Sequence, residues 1–152
     1  DDVSMNSIIK DDISTISSDL YLMTHTTNPL LSSHTICSAL DAFSGQSSSG
    51  QTDSLFTVNK FQSRFYHSDV RPVNHDPNNL VPTQTLTPWF EENSGLYIFT
   101  SESFFKTNAR IGKSPMMYET PKLESVDIDT PEDWDLALAV AKFLNPMDPS
   151  KP

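Results

Sequence analysis

Apolar positions along the chain fall into a few compact groups separated by polar stretches. Between Asp19 and Thr24, Leu20-Tyr21-Leu22-Met23 is a nearly continuous apolar run. Such a run predicts a parallel strand buried on both faces. The polar turn His25-Thr26-Thr27-Asn28-Pro29 ends it. Ile36, Ala39, Leu40 and Phe43 then recur at helical spacing, with Ser32 or Ser33 as the N-cap. Cys37 falls within this pattern and reads as a small buried residue. Residues 44–52 (SGQSSSGQT) read as a flexible surface connection.

Two further strands are predicted at Ser54–Val58 and Gly95–Thr100, with a short helix from Ser101 to Lys106. Met116–Tyr118 and Ser125–Ile128 predict two more short strands. The span from Lys60 to Glu92 is rich in Pro and Asn, and reads as short hairpins and loops leaving the main sheet. The first eighteen residues are polar around a short stretch at Ser7-Ile8-Ile9. The last helix is the best specified. Thr130 is its N-cap, Pro131 its first residue, and Glu132 and Asp133 oppose the positive end of its dipole. Trp134, Leu138, Ala141 and Leu144 form its expected buried face, and Pro146 and Pro149 its stop. Strands alternating with helices give an α/β layered fold. Ligands in such folds collect at the C-terminal ends of parallel strands, so residues 25–29 are expected at a site edge.

Composition narrows the function. The 152 residues suit one domain, and 36% hydrophobic residues suffice for a core. The net charge of −10 repels nucleic acid and anionic membranes, but not a phosphate screened by a divalent cation. A single cysteine precludes an intrachain disulfide and makes a reducing cytoplasm the expected compartment. No apolar run reaches the roughly twenty residues of a membrane helix.

The candidate chemistry centres on Asp127-Ile128-Asp129. Residues two apart in an extended segment point to one side, so this pair could hold Mg²⁺, which favours a few carboxylates completed by waters and phosphates. Read without its flanks, the pair is equally a cap and a solvated surface acid. His34, His67 and His75 show no metal-ligand spacing, and Met116-Met117 reads as core. Trp89-Phe90 reads as packing.

The flanks add a resemblance. Pro121 to Trp134 is similar to the closing DID segment of the acylneuraminate cytidylyltransferase (CMP-sugar synthetase) family. Thr24 to Leu31 (THTTNPLL) resembles that family's loop after its central strand. Glu92 to Phe99 resembles its Asn-Gly-x-x-Tyr-x-Phe strand, and Asp2 to Ile9 resembles a run preceding these. All four occur in the family's order over nearly the whole chain. The resemblance implies a nucleotide-diphosphosugar-transferase-like (Rossmann-like) mixed sheet flanked by helices, incomplete at the N-terminus. It implies transfer of CMP from CTP to an acidic sugar, sialic-acid-like or related, with release of pyrophosphate. Asp127 and Asp129 match the catalytic Mg²⁺ ligands. His25, Thr27, Asn28, Asn93 and Tyr97 match positions at the sugar pocket, and residues 61–92 match a homodimer contact.

Departures qualify it. With four glycines the chain lacks the glycine-rich phosphate cradle. The chain alone is therefore expected to be inactive, and to expose a sheet edge beside residues 19–24. Thr83 and Glu91 stand where sialate-specific relatives carry arginines, leaving Lys60, Arg64, Arg71 and Lys122 as candidate replacements. A non-catalytic dimerising module derived from the same family is the alternative reading.

Overall fold

A computed structural model describes residues 3–144. Strand β1 (Tyr21–Thr24), β2 (Ser54–Phe61), β3 (Trp89–Phe99) and β4 (Pro115–Glu119) form one sheet in the order β1-β3-β2-β4. Strand β3 runs antiparallel to both β1 and β2, whereas β4 pairs parallel with β2. Helices α1 (Met5–Thr15), α2 (Ser33–Ser47), α3 (Ser101–Thr107) and α4 (Pro131–Leu144) complete the fold. The expected mixed α/β sheet flanked by helices is thus present.

Alternation along β3 explains the layering. Tyr97 and Phe99 point to one face and pack with Ile9 and Ile13 of α1 and Phe104 of α3. Leu96 and Ile98 point to the other and pack with Ala39 and Phe43 of α2 and Leu55 of β2. Successive strand side chains face opposite ways, so a strand covered on both sides must be apolar throughout this stretch. Burial of such side chains contributes about 1.5–3 kcal/mol each.

Several expectations change. Strand β1 is antiparallel to its partner, not parallel, and is not buried on both faces. Its burial alternates, and Leu22 remains 42% exposed. The reason is position: β1 pairs with β3 alone among the described residues, leaving its outer edge open. That open edge agrees with the exposed edge expected there. Helix α1, unannounced by its polar sequence, forms because Ser4 accepts the Ser7 N–H as N-cap and Ile9 and Ile13 lie one turn apart on the core side. Helix α2 continues to Ser47, so residues 44–47 are helical rather than loop. Cys37 is exposed, not buried, because α2 turns Thr35, Ala39 and Phe43 inward.

Residues 125–128 form no strand; a 3₁₀ turn at Lys122–Glu124 precedes them. Helix α4 has the expected cap: Thr130 Oγ1 accepts the Asp133 N–H, and Asp133 Oδ2 accepts the Thr130 N–H at 2.8 Å. Its expected buried face fails. Trp134 is 55% exposed, Leu138 and Leu144 are exposed too, and the buried contact is made by the small side chain of Ala137. Pro146 and Pro149 lie outside the described residues. Met117 is likewise exposed, while Met116 packs on the core. The excursion is shorter than expected: residues 60–61 in β2 and 89–92 in β3 stay paired in the main sheet, and only residues 62–88 leave it, irregular apart from a Tyr66–Pro72 bridge and a 3₁₀ turn at Thr83–Thr85. Among the described residues no helix is long and apolar enough to cross a membrane.

Candidate functional site

An irregularity in the sheet builds one wall of the site. The β2–β3 register reaches Phe56↔Tyr97, then resumes at Val58↔Glu92, so residues 93–96 crowd opposite Thr57. Ser94 takes the left-handed conformation (φ 56°), and Thr57 Oγ1 accepts the Leu96 N–H at 2.9 Å. Bulges of this kind re-aim side chains. Here Asn93 turns inward. It donates to Thr120 Oγ1 (2.7 Å) and Asn59 Oδ1 (3.1 Å) and accepts the Gly95 N–H (3.2 Å). The predicted sugar-pocket asparagine is therefore almost fully engaged within the protein.

The DID segment lies across from the loop after β1. The Ile128 N–H donates to the Thr27 carbonyl at 2.9 Å, and Asn28 Nδ2 contacts the Val126 carbonyl at 3.5 Å. Glu124 fixes the same segment from the other end. Its carboxylate accepts the Ser32 N–H (2.9 Å) and the Ser32 hydroxyl (3.0 Å) at the start of α2. Burial raises the Glu124 carboxyl, but the bonds from Ser32 and Thr35 and the charge of His34 outweigh it and hold its pKa below the ordinary value.

Asp127 faces a cavity of about 170 Å³ that Asn59, Glu92, Asn93 and Ser94 also line. Its Oδ1 is buried and has no hydrogen-bond partner among the described residues; Asn28 Oδ1 is in the same state, in a residue only 5% exposed. Orphaned buried oxygens cost about 1–3 kcal/mol unless something completes them. Asp129 is exposed, and its backbone N–H donates to Asp133 Oδ2 at 3.2 Å. No cluster of three or more His, Cys, Asp or Glu side chains suited to a metal occurs among the described residues. Asp129 does not line that cavity, so the donor with an unfilled oxygen is Asp127, and its chemistry fits a cation completed by waters and phosphates, not a closed protein cage.

At the C-terminal end of β1, His25 lies 6.2 Å from the Tyr97 ring, centroid to centroid. Tyr97 itself is fully buried, so it is a floor and not a lining residue. Its hydroxyl donates to Glu92. Burial, then that bond, push the phenol up to about 12. Above the ring sits Arg110, its guanidinium carbon 3.8 Å from the centroid. Arg110 also reaches Glu92 Oε1 (3.3 Å) and His25 Nε2 (3.4 Å).

Arg110 was not among the cations the sequence singled out. Of those, Arg64 donates to the Val81 carbonyl and Arg71 pairs with Asp69, both away from this cluster. No sequence signal marked it: Asn108 ends α3 in the left-handed conformation (φ 54°) and so turns the chain before Arg110.

No protein-family model matches the chain, and a comparison with curated proteins finds no match. Among solved structures, the fold is similar to 4-diphosphocytidyl-2C-methyl-D-erythritol synthase from Anaerococcus prevotii. The TM-score is 0.62 at 10% identity, covering 94% of this chain and 68% of that one. The likeness is one of fold.

Proposed function

We propose that the chain carries the acceptor-binding and metal-binding part of a CTP-dependent cytidylyltransferase acting on an acidic sugar. The carrying observation is the bond from the Ile128 N–H to the Thr27 carbonyl. It ties the acidic segment to the loop of His25, Thr27 and Asn28 at the end of β1, where the fold class collects ligands. The structural neighbour, a synthase of a diphosphocytidyl compound, supports the reaction class through its fold. Asp127 and Asp129 would hold Mg²⁺, which when bound supplies neutralisation of the nucleotide's phosphate charge. Around it, the loop backbone at residues 25–28 bounds the acceptor and Asn93 holds the bulge in shape. Exposed Trp89 and Phe90, lining a cavity of about 370 Å³ with Phe61 and Phe65, support a second copy of the chain as partner.

The test has two readouts. Mn²⁺ as a magnesium probe should broaden the amide resonances of residues 25–28 and 127–129 in the wild type, with binding at least about tenfold weaker in Asp127→Ala and Asp129→Ala, the loss of one charged ligand. In the protein expressed from its complete reading frame, the same variants should raise the Mg²⁺ requirement for CMP-sugar formation. Unchanged Mn²⁺ affinity in both variants removes the assigned role.

A further inference from the structure

Arg110 is placed as a receptor for an anion, and its present contacts leave it under-used. Its side chain is only 20% exposed. Its position is set from both sides of the chain. Thr107 Oγ1 contacts the carbonyls of Ala109 (3.1 Å) and Ile111 (3.3 Å), and the Asp53 carboxylate accepts the N–H groups of Lys113 (2.8 Å) and Ser114 (3.1 Å). The guanidinium is therefore held over the Tyr97 ring by a tethered turn.

A guanidinium offers five donors in a planar fork and normally meets a carboxylate at 2.7–2.9 Å. Arg110 instead has two contacts of 3.3 and 3.4 Å. The carboxylate that pairs with it among the described residues, Glu92, spends the same oxygen, Oε1, on the Tyr97 hydroxyl. Arginine has no acceptor, so His25 Nε2 accepts at their contact and presents no competing anion. Arg110 lines a cavity of about 280 Å³ with Ser4, Met5 and Asn6, and His25 lines an adjoining one of about 250 Å³ that shares Met5. No acidic residue stands in the first turn of α1, which borders both. In a chain of net charge −10, this is a cation kept in a partly dry place beside a cavity that its residue lines.

We propose that Arg110, positioned by Tyr97 and flanked by His25, holds the carboxylate of the acceptor, and so supplies the selectivity for an acidic sugar. The proposal rests on the acceptor reading of this loop given above. A planar monoanion fits better than a phosphate dianion. The fork matches two oxygens of either anion, but the adjacent Glu92 carboxylate repels a dianion about twice as strongly as a monoanion and so offsets what the guanidinium gains from the second charge.

The experiment follows the Arg110 side-chain NH resonance, assigned by its loss in Arg110→Gln, while the chain is titrated without nucleotide or metal. The probes are N-acetylneuraminate, 3-deoxy-manno-octulosonate, their methyl esters and inorganic phosphate. In the wild type at least one free acid should shift the resonance and bind about tenfold or more tightly than its ester, the effect of one bidentate charged contact. Followed by the His25 ring resonances, Arg110→Gln should reduce that ratio to about one with an unchanged circular dichroism spectrum, and Arg110→Lys should retain part of it. The proposal is overturned if neither acid binds, if acid and ester bind alike, if phosphate binds more tightly than either acid, or if Arg110→Gln keeps the ratio. Because CTP and metal are absent, its failure leaves the Asp127 and Asp129 measurements standing, and theirs leaves it standing.

Discussion

Gly112 lets the turn that carries Arg110 close on Asp53, and replacing it by alanine tests how that turn is held. A Cβ added at Gly112 would lie 2.2 Å from Asp53 Oδ1, 2.5 Å from Cγ and 2.6 Å from Oδ2. Real Cβ atoms do not approach so closely, so the carboxylate must swing away. It would lose the N–H groups of Lys113 and Ser114 and the Ser54 hydroxyl at 3.1 Å. The Lys113 and Ser114 bonds are exposed, so water replaces part of each, and the buried Ser54 hydroxyl still accepts the Gly112 N–H, so the cost is about 1–2 kcal/mol in total. For a chain of this size that lowers Tm by roughly 2–8 °C. Asp53→Ala should cost a similar amount, because it removes the same bonds. The double variant discriminates. The three atoms nearest the added Cβ all belong to Asp53, and Gly112 does not need a positive φ. With Asp53 already alanine, Gly112→Ala should be neutral or mildly stabilising through the smaller entropy of the unfolded chain. The cycle is read by thermal or urea unfolding of all four proteins. Equal destabilisation by Gly112→Ala in both backgrounds refutes the clash with Asp53 as its cause.

Two further outcomes follow from titrating groups. With its folded pKa raised, Tyr97 contributes stability fully present below the ordinary phenol value of 10.0 and lost as pH rises through about 12. Ultraviolet titration should show a phenol component ionising about two pH units above the ordinary value of 10.0, and that component should vanish in Tyr97→Phe; a wild-type curve that loses only a component near 10 in Tyr97→Phe contradicts the burial argument. Glu124 has the opposite sign: its folded pKa is depressed, so its contribution is present above the ordinary carboxyl value of 4.5 and is lost as pH falls through the folded one. Glu124→Gln should cost about 1 kcal/mol at pH 7 in urea unfolding, and the gap from wild type should close in acid; a gap independent of pH contradicts an ionic cap on α2.

Much of the sheet was legible because its core strands are apolar without interruption. Leu96-Tyr97-Ile98-Phe99 has to be covered on both faces, and α1, α2 and α3 cover it. The caps at Ser32 and Thr130 were legible for a related reason, since the side chain and the N–H it serves are neighbours in sequence. Direction and edge were not. Leu20-Tyr21-Leu22-Met23 reads as a central parallel strand, and nothing within four residues reveals that its neighbour runs antiparallel or that one edge stays open. The face of α4 misled similarly, because helical spacing fixes which residues share a side but not which side is covered, and Ala137 is its buried residue.

The site divides along the same line. Asp127 and the loop from His25 to Asn28 were singled out through the resemblance of their flanks, and the fold brings the two segments together although 98 residues separate Asn28 from Val126. Arg110 was missed because an arginine after a short helix has no meaning in sequence. Its meaning comes from the Tyr97 ring beneath it, the His25 ring beside it, and the single oxygen of Glu92 that it must share. A cation in water is a solvated charge of little consequence, whereas the same cation laid on a buried ring, with donors to spare, is bound to attract an anion. The feature that distinguishes an acidic from a neutral acceptor would then lie in a contact among residues 25, 92, 97 and 110, which only the folding of β1 against β3 brings about. Selectivity at this site should accordingly be more sensitive to changes in the Asp53–Gly112 tether, which sets where Arg110 stands, than to removal of any of the surface cations Lys60, Arg64, Arg71 or Lys122.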